Sequence, residues 1–282
     1  MCEIGKDFKS INFYNKEMQK GMEDKLFFLD RLPKNDNYVF VDFGCADGTM
    51  INALASIFDS EKPSNKTYIG YDISETMIDI AKTNYHGPAN ADVIFTTNWA
   101  DVEKKFNPYR KTILILSSVI HEVYSYANDE NDIATFWKRV LNTGFDYIII
   151  RDMCPSDDID RKSVGWIEQR IRQLADRDML KDFENECGSI SNNRNLIHFL
   201  LKYRWKVNWN REVHENYFPI STNLLVQMFN DGFNIDYFER FRLPWWEQCW
   251  KKDFDIAIND YTHVKAIFAK KKNYEDTNSY NK

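Results

Sequence analysis

The chain contains no C-x-x-C pair, no G-x-G-x-x-G turn and no run of some eighteen apolar residues. Without such a run no helix is expected to span a bilayer. The opening residues MCEIGKDFKS lack the apolar stretch of a secretion signal, so a cytoplasmic protein is expected. The cysteines (Cys2, Cys45, Cys154, Cys187 and Cys249) are odd in number and widely spaced. That pattern fits reduced thiols rather than a disulfide frame or a zinc site. No two histidines stand at metal-ligand spacing, and no metal is predicted. Excess positive charge is missing too: the net charge is −6, which disfavours nucleic-acid binding by bulk electrostatics. There is no internal repeat, and low complexity is confined to the polar tail KNYEDTNSYNK.

What is present is enough apolar material for one large domain carrying an insertion: 282 residues, 43% hydrophobic and 15% aromatic. Residues 11–32 repeat apolar positions at helical spacing and stop before Pro33. Strand-like YVFVDFG leads into a helix from Thr49. TYIGYD, 67–72, is a second strand, and Ser74 caps the helix that follows, which the Gly87-Pro88 pair ends. ADVIFTT, 91–97, is a third strand, and the very apolar KTILILSS, 111–118, is expected at the centre. A helix over 131–141 and the strand FDYIIIRD, 145–152, follow. Near the end come a helix over STNLLVQMFNDG and the strands NIDYFERFRL and THVKAIFAKK.

Strands alternating with helices at this spacing predict a Rossmann-like α/β fold. Its seven-stranded sheet is mostly parallel, with helices on both faces. The last two strands are linked by a polar and aromatic stretch without a clear crossover helix, so one of them is expected to be antiparallel. Residues 153–216 break the alternation and read as helices, about 161–186 and 194–206. The expected organisation is a core over 1–152 with its N-terminal helix, an insertion or lid over 153–216, the rest of the core over 217–270, and a disordered tail over 271–282.

The stretch VFVDFGCADGTMINAL, residues 39–54, carries the chemistry. A glycine-rich turn between a first strand and its helix lets a ligand lie close to the backbone. Here the order is D-x-G-x-A-x-G, and Asp42 at the strand end would repel a pyrophosphate but attract an ammonium or sulfonium group. Asp72 ends the second strand, placed to accept hydrogen bonds from a ribose diol. An acid near a cationic amino-acid end and another on a ribose describe S-adenosylmethionine better than a nicotinamide dinucleotide.

DFGCADG, YIGYD with its Ser-led helix, the polar turn after the third strand and ILILSSVIHEV together resemble a class I S-adenosylmethionine-dependent methyltransferase. The resemblance covers residues 38–152 and, more loosely, 217–270. It implies that Gly44, Cys45 and Ala46 line the methionine part and that Asp72 meets the ribose, with Asp42, Gly48 and Ser117 also in the cofactor site. Ile73 and Met77 would flank the adenine, with Asn98 and Trp99 at its edge. Ala46 stands where the family's middle glycine is usual, and Asn98 where an acid is frequent.

Methyl transfer needs alignment and, for some acceptors, removal of a proton. The end of the central strand faces that chemistry, which makes His121 the candidate base or positioning group and Glu122 its neighbour. No (D/N)-P-P-(Y/F) follows the fourth strand, and no Pro-Cys nucleophile stands there, which argues against the usual DNA-base acceptors. An oxygen or nitrogen acceptor, a small molecule for preference, is the expectation. Segment 188–211 sets Arg194, Lys202, Arg204, Lys206 and Arg211 among Tyr203, Trp205 and Trp209, with no Asp or Glu. It offers an RNA, nucleotide or other phosphorylated acceptor a basic aromatic face, although residues 151–215 as a whole hold twelve basic and twelve acidic residues. A non-catalytic cofactor-binding regulator is the alternative of another class.

Overall fold

The computed structural model describes residues 21–33, 37–60 and 65–271. Residues 11–20 of the predicted first helix and all but the first residue of the tail lie outside them. Seven strands form one sheet: β1 (Tyr38–Phe43), β2 (Thr67–Tyr71), β3 (Asp92–Thr96), β4 (Lys111–Ser117), β5 (Tyr147–Met153), β6 (Phe233–Phe241) and β7 (His263–Lys270). Their order is β3-β2-β1-β4-β5-β7-β6. The first five run parallel, and β7 lies antiparallel between β5 and β6. The predicted mostly parallel sheet is therefore observed, with the last strand as its antiparallel member. β4 sits in mid-sheet, where both faces are covered, and this is why its apolar run is continuous rather than alternating.

The helices are α1 (Met22–Lys25), α2 (Thr49–Asp59), α3 (Glu75–Asn84), α4 (Trp99–Glu103), α5 (Ile120–Tyr126) and α6 (Glu130–Asn142), then α7 (Gly165–Leu174), α8 (Arg177–Cys187), α9 (Asn193–Lys202), α10 (Trp209–Glu212), α11 (Thr222–Phe229) and α12 (Pro244–Phe254). Ser74, Asn98, Asp129, Asp176, Asn192 and Ser221 each cap a helix by accepting from a first-turn N–H. One apolar layer joins α6 and α11 to a face of the sheet, and a second joins α2 and Phe28 to the other. A third cluster unites α7, α8, α9 and α12.

Three elements differ from the sequence-based expectation. The single helix foreseen over 161–186 is two, because Asp176 accepts from the N–H groups of Asp178 and Met179 and so starts α8 afresh. The link between β6 and β7 contains α12, with Pro244 at its first position. This helix turns Trp246, Cys249, Trp250 and Phe254 onto the insertion instead of the sheet, and the Trp250 indole N–H donates to the Leu200 carbonyl at 3.3 Å. The first helix does not continue to residue 32: past Gly21 there is only α1 and a 3-10 turn over Leu29–Arg31. Tertiary contacts override the helical periodicity there. Phe28 is fully buried, and Asp24 accepts from Arg151 at 2.9 Å and pairs with Lys265 at 2.5 Å. No helix among the described residues is long and apolar enough to cross a membrane.

Candidate active site

The site begins at the carboxyl end of β1. Gly44, Ala46 and Gly48 all have positive φ (73°, 45° and 77°), which turns the chain sharply before α2. The N–H groups of Gly44 and Cys45 both donate to the Tyr71 carbonyl, at 2.8 and 3.0 Å. Asp72 then braces the turn: its Oδ2 accepts from Ala46 N–H at 3.0 Å and its Oδ1 from Ser74 N–H at 2.9 Å. Asp47 Oδ1 accepts from the N–H and the hydroxyl of Thr49, at 3.1 and 2.7 Å, and opens α2.

Gly44 has no room for a side chain, since a Cβ there would lie 2.7 Å from Val119 Cγ2. Gly44→Ala combines that contact with a left-handed φ and is expected to cost about 1–3 kcal/mol. A urea midpoint unchanged from the parent protein would contradict this.

Lys25, Asp42, Gly44, Cys45, Asp47 and Ser117 line a cavity of about 40 Å³ beside this turn. Burial raises Asp42 to about 7, with Lys25 opposing the rise and Asp72 adding to it. Burial and the Arg151 charge lower Lys25 to about 8, against the pull of Asp42, Asp47 and Asp24. Burial likewise pushes the Cys45 thiol up, so it is not poised as a nucleophile. Ser117 Oγ is buried and has no hydrogen-bond partner among the described residues.

Further along the crevice, Ile73 is exposed and Met77 lies on the buried side of α3. Asn98 Oδ1 accepts from Ala100 N–H at 3.1 Å. The Trp99 indole turns into the core, 5.1 Å from the Tyr71 ring and 5.6 Å from Phe43. Any ligand contact at that position therefore falls to its main chain.

At the end of β4, Ser118 holds a left-handed φ of 58° and its N–H donates to the Arg151 carbonyl at 2.8 Å. Asp152, at the end of the adjacent β5, reaches across. Its Oδ2 accepts from Val119 and Ile120 N–H at 2.9 and 2.7 Å, and its Oδ1 lies 2.7 Å from His121 Nδ1. Because the carboxylate only accepts, Nδ1 carries a proton, and Nε2 is the nitrogen left to exchange one. Both residues are buried. Desolvation works against a charged imidazole, but the charge and hydrogen bond of Asp152 outweigh it and raise His121 to about 9.

Glu122 turns another way and accepts from Arg211 at 2.9 Å. Arg211 also bonds Glu215 at 2.8 Å and the Tyr126 hydroxyl at 3.0 Å. The structure thus ties His121 to Asp152 at the ends of β4 and β5 but directs Glu122 to Arg211. The other cations of 188–211 are largely taken up inside the protein. Arg194 bonds Asp160 at 2.9 Å, Arg204 bonds Asp253 at 2.6 Å, and buried Lys202 donates to the carbonyls of Glu212, Val213 and Glu215. His214 pairs with Glu186 at 3.1 Å, and His198 and His263 are buried, where desolvation lowers their pKa values well below the usual range.

Sequence reasoning missed Asp152, Lys25 and Tyr217, whose ring meets His121 edge-on with centroids 5.5 Å apart. A signal for Asp152 existed: FDYIIIRD ends an apolar strand in an acid, the same pattern that singled out Asp42.

A parallel sheet of this order, with a glycine-rich turn after β1 and acids closing β1 and β2, places a ligand crevice at the carboxyl ends of the strands. Residues 34–154 match the family model described as a methyltransferase domain. Three solved structures are similar in fold. One is a SAM-dependent methyltransferase from Methanosarcina mazei, 15% identical, covering 86% of this chain and 96% of its own, TM-score 0.45. Another is magnesium protoporphyrin IX methyltransferase from Synechocystis PCC 6803 with bound SAH, 15% identical, with coverage of 95% and 89% and TM-score 0.47. The third is a protein from Bacillus halodurans C-125 named a putative methyltransferase, 12% identical, with coverage of 88% and 97% and TM-score 0.43. No sequence among the curated proteins matches the chain.

Proposed function

We propose that this protein is an S-adenosylmethionine-dependent methyltransferase that methylates an oxygen or nitrogen atom of a small molecule, with His121 taking the acceptor's proton and Asp152 holding the imidazole in place. The observation that supports it is the buried Nδ1–carboxylate contact of 2.7 Å, which leaves Nε2 as the working nitrogen at the end of β4. The cofactor supplies an electrophilic methyl on a cationic sulfur. Everything else falls to the chain's own residues.

The crevice fits that group. The partnerless Ser117 Oγ offers a hydrogen bond, the bare Gly44 allows close approach, and Asp42 offers a carboxylate to an ammonium. The turn Gly44, Cys45, Ala46 and Gly48 would hold the methionine part, and Asp72 the ribose through the lone pairs that Ala46 and Ser74 leave open. Ile73 and Met77 would sandwich the adenine, whose edge would meet Asn98 and the main chain of Trp99. A small acceptor is preferred to RNA because Arg194, Lys202, Arg204 and Arg211 are already engaged within the protein.

Isothermal titration with S-adenosylhomocysteine tests the cofactor assignments. Asp72→Ala is expected to weaken binding about 10- to 100-fold, the loss of charge-assisted hydrogen bonds. Unaltered affinity would remove Asp72 from the ribose. The acceptor follows from screening hydroxyl and amine metabolites for methyl uptake, with His121→Gln as the control that loses turnover.

A further inference from the structure

A lysine that no motif announces stands at the methionine end of the crevice. Lys25 belongs to α1, outside the parallel core, yet its side chain lines the same 40 Å³ cavity as Asp42, Gly44 and Ser117. It is 8% exposed, an unusual position for an ammonium group. Its setting is fixed by its neighbour. Asp24 accepts from Arg151 of β5 at 2.9 Å and pairs with Lys265 of β7 at 2.5 Å, so two strands tether α1 over the end of β1. Phe28 plugs into the apolar layer behind it.

The charges around the cavity have a definite order. Lys25 feels the attraction of Asp42, Asp47 and Asp24 and the repulsion of Arg151. Asp47 is occupied in starting α2, and Asp24 is held by Arg151 and Lys265. Asp42 is the carboxylate left to face Lys25 across the cavity. A cation and an anion facing each other across a small space form the complement of an α-amino acid zwitterion, whose ammonium seeks the carboxylate and whose carboxylate seeks the ammonium.

Resting on the cofactor reading of this crevice, we propose that Lys25 binds the α-carboxylate of the cofactor's methionine part while Asp42 binds its ammonium, the zwitterion inserting between the two side chains. Lys25, together with Asp42, then separates the complete cofactor from nucleosides that lack the amino-acid end. On binding, each buried charge meets an opposite charge of the ligand, so neither is left uncompensated in the complex. It also gives α1 a function: this short segment carries the one selective contact that the sheet and its turn do not provide. The pairing involves no covalent change.

Titration calorimetry on the full chain separates the possibilities, with S-adenosylhomocysteine and 5′-methylthioadenosine as the two probes. The second probe keeps the adenine, ribose and sulfur and lacks the amino-acid end. Lys25→Met is expected to weaken S-adenosylhomocysteine about 10- to 100-fold, the loss of one charge-assisted hydrogen bond. Its affinity for 5′-methylthioadenosine should stay within about twofold of the parent. Equal losses for both probes would make Lys25 a general support of the crevice and overturn the assignment. So would unchanged affinity for both, with the cofactor reading intact. Failure of the parent protein to bind either probe would instead overturn the cofactor reading itself.

Lys25→Gln, which keeps a polar head in the same space, provides the same comparison should the methionine variant not fold. A decarboxylated thioether of S-adenosylhomocysteine completes the cycle. It should bind the parent weakly and lose nothing further in the Lys25 variant; a further loss would reject the contact.

Discussion

His121→Gln is expected to remove most of the fall in stability that the parent protein shows between pH 7 and pH 10. Asp152 raises the His121 pKa from an ordinary value near 6.5 to about 9 in the folded chain. A histidine raised in this way contributes stability that is fully present below its unfolded value. That contribution is lost as pH rises through about 9. A shift of this size corresponds to a stabilisation on the order of 3 kcal/mol at low pH. Glutamine can still offer Asp152 an N–H but does not titrate. Urea denaturation of both proteins at unit steps from pH 6 to pH 10 should give curves that converge at the alkaline end. Other groups that titrate in this range, Lys25 and Lys202 among them, are common to both proteins and cancel in the difference. Curves that stay parallel would show that the folded and unfolded pKa values are alike, and the dyad would lose its electrostatic basis.

On the proposed role of His121 as base, the same shift governs turnover. With a pKa of about 9, His121 is largely imidazolium at neutral pH, and Nε2 accepts a proton only in the minor neutral form. Turnover of an acceptor that must lose a proton is therefore expected to rise about tenfold per pH unit toward pH 9. Asp152→Asn withdraws the charge that holds the imidazole protonated, so the rising limb should move to lower pH even as the maximum falls. A limb that does not move would leave Asp152 a purely structural brace of the Val119 and Ile120 N–H groups.

The parts of this molecule that were legible in the sequence are those fixed by local chemistry. The strands announced themselves through apolar runs, α3 through the Ser74 cap, and the β1 turn through a spacing of small residues that only a sharp bend requires. β7 could be recognised as a strand, but its place between β5 and β6 follows from sheet closure, which no local pattern encodes. The dyad was half legible. His121 follows the most apolar strand, whereas its partner is 31 positions away and meets it only because β4 and β5 are neighbours. Lys25 was hidden for another reason: a lysine on an amphipathic segment reads as solvated until Asp24 and its two partner strands pull the segment over the sheet. The basic stretch 188–211 misled in the opposite direction. Its cations looked like a free face because the acids that engage them (Asp160, Asp253, Glu122 and Glu215) all lie outside the stretch itself.

Arg211→Met is expected to loosen residues 206–217 from α5 and to cost about 1–3 kcal/mol, the range for a partly buried carboxylate that loses its charged partner. Arg211 is the cation shared by Glu122 of α5 and Glu215, and it also holds the Tyr126 hydroxyl. Glu215 is only 3% exposed, so it loses a charged partner in a poorly solvated place once Arg211 is gone. Tyr126 still donates to Glu215 at 2.6 Å, but a hydroxyl cannot balance a charge. Hydrogen exchange should show faster loss of protection over residues 206–217 than over β4 and β5, because the apolar sheet core does not depend on this contact. Adding Glu215→Gln to the same protein removes the stranded charge and should recover part of the loss. If Arg211→Met left the urea midpoint and the exchange pattern unchanged, the insertion would be held by its apolar cluster with α12 alone. The approach of Tyr217 to His121 would then be independent of the ionic contacts around Glu122.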